Sequence, residues 1–192
     1  AHHNEILHHD VCPANVHIDA RGNVRIKNFF ISRFFYQYCP LNDWKNNLSN
    51  FDCQSPEKIL SRQEGKEGDV FSFAVLSYFL LSGRMPFNGN TREEIAFARC
   101  ENRNNTKYTY QKPIPLTELR EDFPKSINDI LLMMLLPNPS SRATLAEFIS
   151  AVNLYKTDFE KDRIYETQWE MVAGNTDTKP IPKLDKIGLS GI

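Results

Sequence analysis

The sequence lacks an excess of charge of either sign. Lysine and arginine number 23 against 24 aspartate and glutamate residues, so the formal net charge is −1. This balance excludes a strongly basic nucleic-acid binder, whose lysines and arginines would neutralise phosphates. No apolar run approaches the roughly 20 residues that cross a bilayer. The longest run, residues 71–81, contains two serines, and it predicts a buried helix rather than a membrane span.

The sequence also has few cysteines, and none of them is paired in a motif. No Cys-x-x-Cys pair and no zinc-ligand spacing is present. Isolated thiols in a chain of this size are typical of a reducing compartment, which predicts an intracellular, cytoplasmic protein. Five histidines lie near the start, but their spacings fit no helical ligand pair, and no metal site is predicted. The cysteines are Cys12, Cys39, Cys53 and Cys100.

Apolar residues make up 41% of the chain, which is enough to form a core, and their pattern predicts a mainly α-helical domain. Alternation over residues 16–19 and 24–27, with a Gly-Asn pair at the tip, predicts a short β-hairpin. Residues 29–51 are irregular and rich in aromatics, which predicts a long loop. We expect Asp69 to cap a helix that is apolar almost all round and ends at Gly83.

Two later helices carry N-terminal capping signals. Thr91 precedes two glutamates, and Thr144 begins the Thr-x-x-Glu pattern of a capping box. The second of these helices is predicted to end near Leu154. After Tyr155 the composition shifts: residues 156–169 are charged and compatible with a helix, and residues 173–192 are rich in Gly, Pro, Lys and Thr. This shift predicts a domain over residues 1–155 and a C-terminal extension over residues 156–192.

Five short motifs lie at the boundaries of these elements. In this order and spacing, the chain resembles the C-terminal lobe of a eukaryotic protein kinase over residues 6–154. The resemblance implies a mainly α kinase lobe with one short β-hairpin, of the serine/threonine or tyrosine-kinase-like branch, with no N-terminal lobe in this sequence. The motifs are His8-His9-Asp10-Val11-Cys12-Pro13-Ala14-Asn15, Asn28-Phe29-Phe30, Ser55-Pro56-Glu57, Asp69-Val70-Phe71-Ser72-Phe73 and Pro139-Ser140-Ser141-Arg142.

The resemblance implies a role for each matching position. Asp10 matches the catalytic-loop aspartate that accepts the proton of the substrate hydroxyl, and Asn15 matches the asparagine that holds a second metal ion. Asn28 stands where the family has the metal-binding aspartate of Asp-Phe-Gly. Three others match structural residues of the family: a glutamate and an arginine that form an ion pair, and an aspartate that holds the catalytic-loop backbone. These are Glu57, Arg142 and Asp69.

Four departures from the family pattern fall on the same site. Asn28 brings a neutral amide where Mg²⁺ prefers a carboxylate, a loss of the kind that lowers rates by about 10²–10³. Phe30 replaces a glycine and restricts the backbone. Cys12 replaces the lysine that neutralises the transferring phosphate, and a thiol carries no positive charge. His9 replaces the arginine that reads a phosphorylated activation loop, so ordering of that loop by phosphate is expected to be weak.

The residues with structural roles match the family pattern, whereas several residues with chemical roles depart from it. This combination predicts a pseudokinase module. This would be a protein-binding or scaffold domain in an intracellular assembly, with little or no phosphoryl transfer and no cofactor. We expect protein partners, contacted through residues 156–192, and no nucleic acid. The alternative is an atypical active serine/threonine kinase that transfers the γ-phosphate of ATP to a protein hydroxyl. That enzyme would use Asp10 as base, Asn15 as the strong metal ligand, and ATP and Mg²⁺ as cofactors.

Overall fold

The structure is a computed structural model that describes residues 1–29, 51–61, 64–100 and 110–173. The chain forms two units, one over residues 1–151 and one over residues 152–192. The described residues are mostly helical and contain one two-stranded antiparallel sheet, which confirms the predicted fold class. The elements are strands β1 (Val16–Ile18) and β2 (Val24–Ile26) and helices α1 (Pro56–Ser61), α2 (Lys66–Ser82), α3 (Arg92–Ala98), α4 (Leu116–Leu119), α5 (Lys125–Met134) and α6 (Leu145–Ala173). Short 3-10 turns occupy His2–Asn4, Pro13–Asn15, Phe51–Cys53 and Pro139–Ser141.

The hairpin forms where the alternating pattern predicts it. Val16 pairs with Ile26 and Ile18 pairs with Val24. The turn is closed by Asp19, whose carboxylate accepts the backbone N–H groups of Arg21 and Asn23 at 2.9 Å each. The hydrogen bonds from Asn23 lower the pKa of Asp19. Gly22 has a φ of +81°, a conformation that glycine adopts without a steric penalty.

Helix α2 forms the centre of the first unit. Phe71, Ala74 and Val75 are fully buried, because the helix contacts α1, α4 and α5 as well as the turn at residues 51–53. Gly83 ends the helix in the left-handed conformation, with a φ of 68°, as predicted. The last turn is less buried than expected, since the side chain of Leu80 is 71% exposed.

The predicted N-terminus of this helix is wrong. The helix begins at Lys66 after Gly65, so Asp69 lies within its first turn and does not cap it. The aspartate side chain is turned away from its own helix, toward the backbone of residues 8 and 9. Asp69 thus precedes an apolar stretch, as a capping residue would, but its hydrogen bonds go to a distant part of the sequence.

A buried arginine joins the segment before α1 to helix α3. The guanidinium of Arg99 is fully buried and donates to the carbonyl oxygens of Phe51 at 2.9 Å and Gln54 at 2.8 Å. It also lies over the rings of Phe51 and Phe87, at 5.4 Å and 5.7 Å from their centroids. Desolvation lowers the pKa of Arg99 to about 10. This contact satisfies carbonyl groups that would otherwise be buried without a donor.

Arg142 joins three segments through all of its donors. Its terminal nitrogens bind both carboxylate oxygens of Glu57, at 2.8 Å and 2.7 Å. The remaining N–H groups reach the carbonyl oxygens of Glu67, Leu136 and Pro137. Because a guanidinium has five N–H groups, this set uses every one of them. Arg142 thereby links the start of α1, through Glu57, to the start of α2, through Glu67. Helix α2 also carries Asp69, which binds the backbone of residues 8 and 9.

Both capping signals act as predicted, but the last helix is longer than expected. Thr91 Oγ1 accepts the backbone N–H of Glu94 at 3.2 Å. Thr144 and Glu147 form the reciprocal capping box, with distances of 3.2 Å and 2.7 Å. The predicted end near Leu154 is too early, because α6 continues to Ala173. Residues 30–50 of the predicted loop, with Phe30 and Cys39, and residues 174–192 lie outside the described residues.

Two buried thiols should resist alkylation in the native protein. Burial raises the pKa of Cys53 to about 12 and that of Cys100 to about 11. At pH 8 the reactive thiolate is then only about 10⁻⁴ to 10⁻³ of each thiol. Iodoacetamide labelling followed by peptide mass spectrometry should find both residues unmodified until denaturant is added. Rapid labelling of either residue under native conditions would contradict this burial.

Removing one partner of the Glu57–Arg142 pair should destabilise the first unit strongly. Glu57→Ala leaves a guanidinium that is 1% exposed without its carboxylate. We expect the free energy of unfolding to fall by about 3–5 kcal/mol in a urea titration. Glu93→Ala, at an exposed position of α3, is the matched control. A loss below about 1 kcal/mol for Glu57→Ala, the range of exposed pairs, would show that the contact carries little stability.

Candidate functional site

The backbone before Asp10 is held by the carboxylate of Asp69. Its two oxygens accept the N–H groups of His8 and His9, at 2.7 Å each. His2 Nε2 also lies 2.9 Å from Asp69 Oδ2. Asp69 is itself buried, and hydrogen bonds from backbone N–H to a carboxylate are among the stronger ones in proteins. The long-range contact that replaces the predicted helix cap therefore fixes the loop that carries Asp10.

His8 connects this loop to the end of the hairpin. The backbone N–H of Asp10 donates to His8 Nδ1 at 3.1 Å, so Nδ1 acts as the acceptor of the ring. The proton then sits on Nε2, which donates to the carbonyl oxygen of Lys27 at 2.8 Å. The ring of Phe29 packs edge-on against His8, with centroids 4.4 Å apart. The His8 ring thus joins the backbone of Asp10 to that of Lys27, next to Asn28.

Asp10, Asn15 and Asn28 form one chain of hydrogen bonds. The side-chain nitrogen of Asn15 donates to both the backbone oxygen and Oδ2 of Asp10, at 2.8 Å each. The oxygen of Asn15 therefore faces the other way, where it accepts the side-chain N–H of Asn28 at 2.8 Å. Asn28 has a φ of 67°, a left-handed conformation that asparagine tolerates better than most residues. The tertiary structure thus brings these three predicted positions together.

The donor set of this chain fits a hard cation only after a rearrangement. In the structure, an N–H of Asn28 covers the Asn15 oxygen that would otherwise face a cation. A half-turn of the Asn28 carboxamide would present its oxygen instead, and would break the 2.8 Å hydrogen bond. Within the ranges that the structure describes, no three His, Cys, Asp or Glu side chains come together as a metal site.

Cys12, two residues after Asp10, has no exposed surface. Desolvation, followed by the nearby charge of Asp10, raises the pKa of its thiol. A buried, protonated thiol packs as a small apolar group. The position therefore brings no positive charge to the side of the loop where a phosphate would lie.

A second cluster, which the sequence interpretation missed, surrounds the backbone of His9. Lys58 Nζ donates to the carbonyl oxygen of His9 and lies 3.4 Å from Glu64 Oε2. The same Glu64 oxygen is 3.1 Å from His9 Nδ1, and Ser55 Oγ donates to the other oxygen at 3.1 Å. The side chains of Lys58 and Glu64 are each 3% exposed. We call Ser55, Lys58, Glu64 and His9 the His9 cluster.

One signal in the sequence could have drawn attention to this cluster. A lysine follows Ser55-Pro56-Glu57 directly, at the start of a short helix that must be partly buried. Seven residues after Glu57, Glu64 carries a charge opposite to that of this lysine. A charge pair beside a motif that packs on the core suggests pairing, but nothing local in the sequence indicates that His9 is the third member.

None of the helices in the described part of the chain combines the length and the apolar character that a bilayer crossing requires.

Comparison with known proteins identifies the family. The family model described as protein kinase domain matches residues 1–153. Serine/threonine-protein kinase PrkC of Bacillus subtilis is 26% identical over 95% of this chain, which spans 26% of that protein. The probable serine/threonine-protein kinase MARK-C of Dictyostelium discoideum is 30% identical over 76% of the chain, and PknB of Mycobacterium leprae is 26% identical over 74%. In these two proteins the matched part is 17% and 21% of the length. The chain belongs to the protein kinase domain family.

Proposed function

We propose that the protein carrying this chain transfers the γ-phosphoryl group of ATP to a serine or threonine hydroxyl of a protein. The observation that carries the proposal is the Asp10–Asn15 pair, in which a carboxylate oxygen is held at 2.8 Å by an amide. The relatives named as serine/threonine kinases support the same reaction and acceptor. They support it better than the scaffold role that the sequence pattern alone suggested.

Asp10 would act as the general base. As the acceptor oxygen bonds to the γ-phosphorus, the bond to the bridging oxygen of ADP breaks, and the hydroxyl proton passes to the Asp10 carboxylate. Asp69 holds the backbone N–H groups of the two residues before Asp10, and His8 holds the N–H of Asp10 itself, so this backbone is positioned before the substrate arrives. Asn15 and Asn28 would hold Mg²⁺ through their amide oxygens, and the ion would supply neutralisation of the phosphate charge.

Two charges of the usual site are missing, which implies a slow enzyme. Asn28 brings no negative charge to the cation, and Cys12 brings no positive charge to the phosphate. Loss of one preorganised charge commonly lowers a rate by about 10²–10³. The geometry of the base is therefore retained while the electrostatic contribution of the site is reduced.

The second candidate function is the catalytically silent binding domain. The hydrogen bond from Asn28 to Asn15 favours it, because the two amides satisfy each other without a cation. The protein partner would contact residues 156–192, at whose start the rings of Tyr155 and Phe159 stack at 6.3 Å. Free, buried Cys12, Cys53 and Cys100 support an intracellular location for either function.

The substitution Asp10→Asn tests the first function in the full-length protein. It removes the proton acceptor and keeps the shape, so we expect transfer to serine and threonine peptides to fall by about 10²–10⁴. Incorporation of labelled phosphate from ATP is the measurement, and exposed Asp122→Asn is the control. Absence of transfer in the unsubstituted protein, with Mg²⁺ or Mn²⁺, would favour the binding domain instead.

The substitution Asn28→Asp should make the site dependent on a cation. It replaces the N–H that binds Asn15 by an oxygen, so two oxygens face each other and the melting temperature without metal should fall. Added Mg²⁺ should restore the melting temperature and raise the transfer rate by about 10²-fold over the unsubstituted protein. Asn88→Asp, at an exposed position, should show neither effect. An Mg²⁺-insensitive melting temperature in Asn28→Asp would contradict this account of position 28.

A further inference from the structure

The residue before the proposed base is held on three sides at once. The N–H of His9 donates to Asp69, its carbonyl oxygen accepts from Lys58, and its ring nitrogen Nδ1 lies 3.1 Å from Glu64. Its φ of 65° is in the left-handed region, which is uncommon for residues other than glycine. Because His9 directly precedes Asp10, these contacts hold the backbone from which the Asp10 carboxylate extends.

Both oxygens of the Glu64 carboxylate are engaged within the His9 cluster. One accepts from Ser55 Oγ at 3.1 Å, and the other faces Lys58 Nζ and the ring of His9. The side chain is 3% exposed. A carboxylate and an ammonium withdrawn from water to this degree are stable only when they pair with each other and with further donors and acceptors.

Gly68 gives independent support for a built position of Glu64. It lies in the first turn of α2, and glycine within a helix is less favourable than alanine by about a fivefold population ratio. A Cβ placed on Gly68 would collide with the Glu64 side chain, at its Cγ and Oε1 atoms. The helix therefore leaves open the space through which Glu64 reaches His9.

Lys58, in α1, and Glu64, in the segment before α2, both contact His9 as well as each other. Lys58 and Glu64 could have formed an ion pair with each other alone. Instead, the ammonium donates to the His9 carbonyl oxygen and the carboxylate meets the His9 ring. The family that this chain resembles has an arginine at the position of His9, and that arginine pairs with a phosphate group added to the activation loop. Here the anion is a side chain of the same chain.

We propose that Glu64 is an internal anion that, with Lys58, positions His9 and thereby Asp10, so that the catalytic loop is ordered without phosphorylation. Glu64 and Lys58 are positioning residues, since neither is placed against the substrate or the transferred group. The catalytic part of this inference rests on the proposed phosphoryl transfer. The ordering of the loop can be measured without it.

The test uses the full-length protein and two variants that disturb Glu64 in different ways. Glu64→Gln removes the charge and keeps the shape, whereas Gly68→Ala keeps the charge and displaces the side chain. Amide hydrogen exchange of His9 and Asp10, measured by NMR, should become about tenfold faster in both, because charge-assisted hydrogen bonds are lost. The value of kcat should fall by up to about 10²-fold, with KM for ATP unchanged. Exposed Glu93→Gln should change neither, and exchange of Val75 in the buried part of α2 reports that each variant is folded.

Treatment with a phosphatase completes the design. The unsubstituted protein should keep the same exchange rates at His9 and Asp10 after dephosphorylation. Faster exchange after that treatment, or unchanged exchange in folded Glu64→Gln, would overturn the inference. If the unsubstituted protein transfers no phosphate but Glu64→Gln still loosens His9, the proposed function fails and the positioning role of Glu64 stands.

Discussion

The site depends on the two hydrogen bonds from the backbone N–H groups of His8 and His9 to the carboxylate of Asp69. A loop with a left-handed residue and several buried polar groups does not keep its conformation by local preference. Asp69 supplies that constraint because it lies in the first turn of α2, whose following residues are fully buried. This side chain thereby ties two backbone N–H groups of the loop to the buried helix α2.

The side chains around this loop fall into two groups. Those at the proposed site of phosphoryl transfer form the chemical side, and those that hold the backbone form the supporting side. On the chemical side, Asn28 and the buried Cys12 carry no charge, whereas the proposed family pattern has a carboxylate and an ammonium at these two positions. On the supporting side, Asp69, Glu64, Lys58 and the Glu57–Arg142 pair bring full charges into the interior. Buried charges need fixed partners, so they favour one arrangement over others. The loop is therefore well ordered whether or not its chemistry is fast.

Several features were predictable because their causes are local. The hairpin follows from alternation and a turn with glycine, and the helix starts at Thr91 and Thr144 follow from capping hydrogen bonds within three residues. The site positions Asp10, Asn15 and Asn28 came from the resemblance to a kinase lobe, and the structure places them in one hydrogen-bonded chain. The His9 cluster and the role of Arg99 were missed, since their partners are separated by about 45–55 residues along the chain.

The sequence by itself determined the secondary structure around the site and the chemical types of its residues, because both depend on near neighbours and on residue identity. The resemblance implied that Asp69 holds the loop, but only the tertiary structure decided that Asp69 does not also cap its helix, and that Asn28 turns its N–H toward Asn15. It also decided which buried charges meet at His9. These outcomes depend on burial, which removes water as a competing partner and makes a polar group pair with whatever the fold brings within about 3 Å.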